Sequence, residues 1–295
     1  LQSATQIAAG SIVIGLAVLA LKTAGWYLTG SAALYSDALE SVVNVAASVI
    51  ALYALHVADQ PADRDHPFGH AKAEFVAAAV EGALIVGAAA AILQSAWLGF
   101  RHPHRLDAPL LGVSLNIAAT AVNFAWAQVL IRVARRVRSP ALAGDARHLL
   151  ADVATSLGIA IGVALVVLTG RLWLDPAVAA LTAIYVLWSG MRLIKSSVGG
   201  LMDEALDDRT LAEIQSIIGQ AGTGALEAHD LRTRQAGRTT FLEFHLVVPG
   251  TMPVAAAHEI CDRIEAAFAS QMAHMVVNIH VEPEHKAKHA DVVRI

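Results

Sequence analysis

Long apolar runs separated by short polar stretches fill the chain up to about Leu193, and an ordinary alternating pattern follows. Six runs are long enough to cross a bilayer, which takes about 20 residues as a helix. They lie near Ile7–Leu28, Ala32–Leu55, Phe75–Phe100, Pro109–Ile131, Leu142–Leu168 and Leu172–Ile194. Gly and Ala recur within them, as in VGAAAAI and GIAIGVAL. Small residues let helix backbones approach closely, which suits a tight bundle. From Asp203 the periodicity changes. It predicts a helix near Asp207–Gln220, strands near Leu226–Thr233 and Thr239–Val248, a helix near Val254–Ala269 and a last strand near Val276–Glu282. The fold class is therefore an α-helical membrane protein with six transmembrane helices over 1–200. A small α/β domain of the ferredoxin-like or split βαβ type follows over 201–290, and 291–295 is a tail.

Composition sharpens this picture. The 295 residues are 56% hydrophobic and 16% charged, against about 25% charged in a soluble domain. A net charge of −4 argues against nucleic acid as a partner. One cysteine, Cys261, excludes an internal disulfide framework and a cysteine-rich zinc site. Arg132, Arg135, Arg136 and Arg138 lie between spans four and five, Arg64 and Lys72 between two and three, and Lys195 after six. Arg101, Arg105 and Arg171 lie on the other side. The positive-inside rule then places both termini and the α/β domain in the cytoplasm.

Two polar pairs inside the spans carry the chemistry. Glu40 and Asn44 stand four apart in span two, and His148 and Asp152 stand four apart in span five. A helix puts such residues on one face. A charged side chain at mid-membrane costs roughly 2.5–3.5 kcal/mol on insertion scales, so it needs a partner or a task. Carboxylate, amide oxygen and imidazole together form a ligand set for a divalent transition metal. The plainer alternative is hydrogen bonding between helices. Asp37 and Asp145, one turn earlier on the same faces, fit either a relay to solvent or solvated helix caps. Lys22 reads as a residue snorkelling to the outer interface, and Glu81 as a structural group in span three.

Two further clusters follow. Asp63, His66 and His70 in QPADRDHPFGHAKAE can offer three ligands to one cation from a loop. In the α/β domain, His229, His245 and His280 lie on or beside strands and His258 on a helix. His280 and Glu282 share a strand face. Unrelated surface histidines are the alternative there, and His274, His285 and His289 read as surface or tail residues.

The strings SDALESVVNVAAS, QPADRDHPFGHAKAE, HLLADVATS and AHDLRTRQAG with FHLVV and NIHVEP resemble the cation diffusion facilitator family, in its bacterial zinc/iron exporter branch. The resemblance implies a homodimer in the bacterial inner membrane, with a metallochaperone-like cytoplasmic domain on each subunit. It implies a secondary transporter, not an enzyme, that exchanges a divalent metal for protons by alternating access. It assigns Glu40, Asn44, His148 and Asp152 to the transport site and Asp63, His66 and His70 to a loop site. It assigns His229, His245, His258, His280 and Glu282 to a cytoplasmic site, and Lys72 with Asp203 to a charge interlock between subunits. One departure matters. Where the family carries two acidic residues or His and Asp in span two, this chain has Glu and Asn. Fewer charges and more neutral oxygen keep Zn²⁺ first with Fe²⁺ close behind, and admit Cd²⁺, Co²⁺ or Mn²⁺. A membrane metal sensor or scaffold is the competing reading. An intramembrane metallohydrolase ranks last, because no H-E-x-x-H helix is present.

Overall fold

The structure is a computed structural model describing residues 2–103, 105–137, 140–237, 239–272, 274–288 and 292–295; the side chains of 2–9, 134–145 and 147 lie outside the description. Each apolar run forms one helix: α1 (Gln2–Thr29), α2 (Ala32–Ala58), α3 (Ala73–Arg101), α4 (Pro109–Val137), α5 (Pro140–Thr169) and α6 (Leu174–Leu201). All six are long and apolar enough to cross a membrane. Several extend past the apolar run that predicts them, because the hydrogen-bond ladder continues into polar turns. The chain divides into two compact units, Leu1–Tyr53 with Ala77–Lys195, and Ala54–Val76 with Ser196–Ile295.

In the first unit, α4 packs along both α1 and α5. Ala33 and Leu34 of α2 bury against Ile159 and Val163 of α5. Ala32 joins Ile92 and Ala96 of α3 and Ala179 and Ala183 of α6. The α3–α6 approach is close enough that a Cβ on Gly82 would sit 3.1 Å from the Gly190 carbonyl oxygen, and the converse holds for Gly190. Glycine is required there by space. The start of α2 is fixed from α6. The Asp175 carboxylate accepts the Ser31 hydroxyl, the Ala32 N–H at 2.7 Å and the Ala33 N–H at 3.4 Å. Buried N–H groups of a first helical turn have no intrahelical acceptor, so a carboxylate from another helix supplies one.

The second unit opens with the loop before α3 and continues after α6. Helix α7 (Asp208–Ala221) is capped by Asp207, whose carboxylate accepts the Thr210 N–H at 3.1 Å. Strands β1 (Glu227–Ala236) and β2 (Thr239–Val248) pair antiparallel, and α8 (Val254–Gln271) leads to β3 (Met275–Pro283). β3 runs parallel to β2, as the helical crossover requires. The stretch read as a tail contributes β4 (Val293–Arg294), which pairs with β1 and gives the order β3-β2-β1-β4. Leu242, Phe244 and Leu246 alternate along β2 into a core shared with Ile214 and Ile218 of α7 and Ile260, Ile264 and Phe268 of α8. The opposite face carries His245.

The Lys72 ammonium lies 2.8 Å from Asp203 Oδ1 and donates to the Leu201 carbonyl at 3.3 Å. Arg234 stands 3.7 Å from the same carboxylate and stacks over Phe241 and Phe68. The pair that the resemblance assigns to an interlock between subunits also meets within one chain, because the loop and the α6 end belong to the same compact unit.

Two outcomes are expected. Asp175→Ala strands the Ser31 hydroxyl and the first N–H of α2, and should lower stability by about 1–3 kcal/mol in thermal unfolding of the detergent-solubilised protein. Lys72 holds the Asp203 carboxyl below the usual carboxylate range, chiefly by hydrogen bonding. A depressed folded-state pKa stabilises above the unfolded value and loses that contribution as pH falls through the folded one. The melting-temperature gap between the parent and Lys72→Met should thus be present at pH 7 and close on acidification below about pH 4.

Candidate metal centres

Glu40 and Asn44 on α2 and His148 and Asp152 on α5 line one cavity of about 140 Å³, together with Thr155 and Ser189. A second cavity, of about 330 Å³, shares Asn44, His148 and Asp152 and adds Glu81 and Asn123. Glu81 thus belongs to a polar wall shared with His148, where the sequence offered it no partner. His148 Nε2 and Asn44 Oδ1 are 3.4 Å apart. The Glu40 Oε2 atom is enclosed and has no hydrogen-bond partner among the described residues.

Lys22 is not at an interface. It is 1% exposed, and its ammonium lies 2.9 Å from Asp37 Oδ1 and 3.0 Å from Asp152 Oδ2. Asp37 is fully buried, which rules out a solvated cap. Its carboxylate also accepts from Ser156 Oγ at 2.7 Å and from the Asn116 amide. Asn123 Nδ2 donates to Asp152 Oδ2 at 2.5 Å. Asp37, Glu40 and Asp152 each bring one carboxylate oxygen within 4.8 Å of the others. The reason for the difference is energetic. An ammonium with two carboxylates in reach is better satisfied there than by stretching to an interface. The Asp145 side chain lies outside the described residues.

Asp63, His66 and His70 also converge within 4.8 Å. Asp63 Oδ1 accepts the N–H groups of Asp65 and His66 at 2.9 and 2.6 Å. These bonds, the His66 one foremost, hold its carboxyl below the usual range. His66 Nδ1 and His70 Nε2 stand 3.2 and 3.4 Å from the two Asp63 oxygens. Gly69 has φ +81°, a conformation that favours glycine, and its N–H bonds the His66 carbonyl. That turn brings the second histidine back to the first, with ring centroids 4.4 Å apart.

On the sheet, register aligns the histidines. His229 faces His245 across β1 and β2, and His245 faces His280 across β2 and β3. Glu282 is their hub. It lies 3.3 Å from His229 Nε2, 3.4 Å from His245 Nδ1 and 3.7 Å from His280 Nε2. His258 is not brought to this group. It is exposed on α8, 3.6 Å from Asp262.

Asp230 was not anticipated. It converges with His229 and His245 within 4.8 Å. Adjacent strand residues normally face opposite ways, but β1 carries a register shift between His229 and Arg232 and Asp230 has φ +53°. Lys288 Nζ donates to both Asp230 oxygens at 2.6 Å, which holds that carboxyl below its usual range. The Lys288 N–H donates to Glu227, itself 3.2 Å from His229 Nδ1.

Comparison with known proteins places this geometry. Residues 9–202 match the cation efflux transmembrane domain and 206–284 the cation efflux protein cytoplasmic domain. A protein named as an uncharacterized transporter of Synechocystis sp. is 42% identical over 273 residues, covering 92% of this chain and 88% of that one. The cation-efflux pump FieF of Cronobacter sakazakii is 32% identical over 282 residues, covering 95% and 92%. A solved structure of CzrB in its Zn form is 46% identical, covering 29% of this chain and 98% of that chain, with a TM-score of 0.28. Six apolar helices, paired polar groups between them and a terminal α/β domain thus belong to one known type: the chain is a member of the cation efflux family, a multi-pass membrane transporter of metal cations.

Proposed function

We propose that this chain is a proton-coupled antiporter that exports Zn²⁺ or Fe²⁺ from the cytoplasm across a bacterial inner membrane, working as a homodimer with both termini in the cytoplasm. The observation that carries the reading is the convergence of Glu40, Asn44, His148 and Asp152 on one small cavity between α2 and α5. These four residues are the transport ligands. Metal needs a neutral imidazole and ionised carboxylates, so metal and protons compete for the same atoms. That competition is the coupling. Cytoplasmic metal loads the site, the bundle reorients, and protons arriving from the outer side displace the metal. The neutral Asn44 oxygen in place of a second α2 carboxylate softens the preference for Zn²⁺ toward Fe²⁺, Co²⁺ or Mn²⁺. The Asp63–His66–His70 loop takes a second, weaker ion. The sheet site of His229, His245, His280 and Glu282, with Asp230, takes cytoplasmic metal and shifts the dimer toward its transporting states.

The test is metal uptake into proteoliposomes that hold an internal pH dye, run across Zn²⁺, Fe²⁺, Mn²⁺, Co²⁺ and Cd²⁺. Metal should move against protons, and His148→Ala or Asp152→Ala should reduce both fluxes to background while the protein still elutes as a dimer. Flux that survives both substitutions would overturn the site assignment. Binding without flux in the parent would favour a sensor or scaffold instead.

A further inference from the structure

We infer that Lys22 is a tethered competitor of the transported cation, exchanging with it for Asp152 while Asp37 retains the lysine; this rests on the transport-site reading above. The carboxylate oxygens of Asp37, Glu40 and Asp152 form one cluster, and the cation within reach of it is the Lys22 ammonium. The two aspartates that hold Lys22 are not equivalent. Asp37 lines neither cavity among the described residues. It is held by Ser156 and Asn116 as well as by the lysine. Asp152 lines both cavities beside His148 and Asn44. Lys22 bonds both of its oxygens, at 3.2 and 3.0 Å. Asp37 is an anchor with Lys22, Ser156 and Asn116 as donors and lies off the cavities, whereas Asp152, held by Lys22 and Asn123, faces the space a metal would enter.

A second observation points the same way. The enclosed Glu40 Oε2 has no hydrogen-bond partner among the described residues. Lys22 therefore satisfies Asp37 and Asp152 and leaves an oxygen of the third carboxylate, Glu40, unmet. A buried acceptor without a donor is costly. It is met once a cation sits between Glu40 and Asp152. A divalent ion arriving in the cavity takes Asp152, and Lys22 stays on Asp37. When the metal departs, the ammonium swings back the short distance to Asp152. Lysine suits this because it is a compact point charge on a flexible stem, whereas arginine would lock a carboxylate bidentately. The ammonium thus weakens metal affinity and speeds metal release, which are separable effects.

Removing Lys22 alone would leave two buried carboxylates without their cation, and such a protein is expected to unfold. Two variants limit this imbalance: one leaves Lys22 paired with a single aspartate, and the other keeps the parent's net charge with one carboxylate fewer. Asp37→Asn leaves Lys22 no anchor but Asp152, so competition strengthens. Lys22→Met with Asp37→Asn removes the competitor together with its anchor. Zn²⁺ uptake by each variant in proteoliposomes, with His148→Ala beside them, gives half-saturating concentration and maximal rate. Close charge pairs couple strongly enough that shifts of about 10-fold are expected. Asp37→Asn should raise the half-saturating concentration. The double variant should lower it and also lower the maximal rate, because release slows. Both variants shifting the same way, or neither shifting while His148→Ala abolishes uptake, would overturn the inference and leave Lys22 a structural residue. Unchanged uptake in His148→Ala would instead refute the transport-site reading itself. Melting temperatures of all three proteins separate misfolding from altered affinity.

Discussion

The cost of charge in an apolar bundle governs this structure. Lys22, Asp37 and Asp152 come from α1, α2 and α5, and none reaches solvent appreciably. Each would be expensive alone; together, with Ser156, Asn116 and Asn123 as donors, they satisfy one another. The network also sets helix rotation. Asp152 can meet Lys22 only if α5 turns the same face inward, and that face also carries His148 one turn away. The positions of the proposed metal ligands are therefore a consequence of how the bundle solves its charge problem.

The α/β domain reaches convergence by another route. Strand pairing fixes side chains in rows, so three histidines far apart in sequence become neighbours once β1, β2 and β3 take their register. Glu282 then needs only to lie two residues beyond His280 to face all three rings. The bulge in β1 adds Asp230 to the same face at the cost of a strained backbone conformation. Regular pairing supplies the array, and one irregularity completes it.

What the sequence discloses follows the range of the forces involved. Lipid requires each span to satisfy its own backbone, so six helices are legible from hydropathy alone. The i, i+4 pairs are legible because helical periodicity is local. The α7–β1–β2–α8–β3 order is legible for the same reason. The partners of Lys22 are not, since they lie 15 and 130 residues away on other helices and nothing local marks them. Snorkelling is a sound default for a lysine near a span end, and it loses here to a buried pair of carboxylates. Asp230 is hidden because alternation assigns it to the wrong face, and a bulge leaves little trace in composition. β4 is too short for a periodic signal. Residue type alone does not decide which surface of α8 His258 occupies, and within one chain it lies apart from the sheet histidines.

Formal charge gives the Glu-x-x-x-Asn departure a physical sense. With Lys22 on Asp37, that pair carries no net charge. In the proposed transport site Glu40 and Asp152, counted as ionised, would balance a divalent ion between them, and a neutral Asn44 oxygen and the His148 imidazole would complete the set. A second α2 carboxylate at position 44 would leave the loaded site with an excess negative charge in an apolar bundle, which is costly to bury. Asn44 is therefore the residue expected beside an internal lysine–aspartate pair, and the reach of Lys22 to Asp152 restores part of the charge balance whenever the metal leaves.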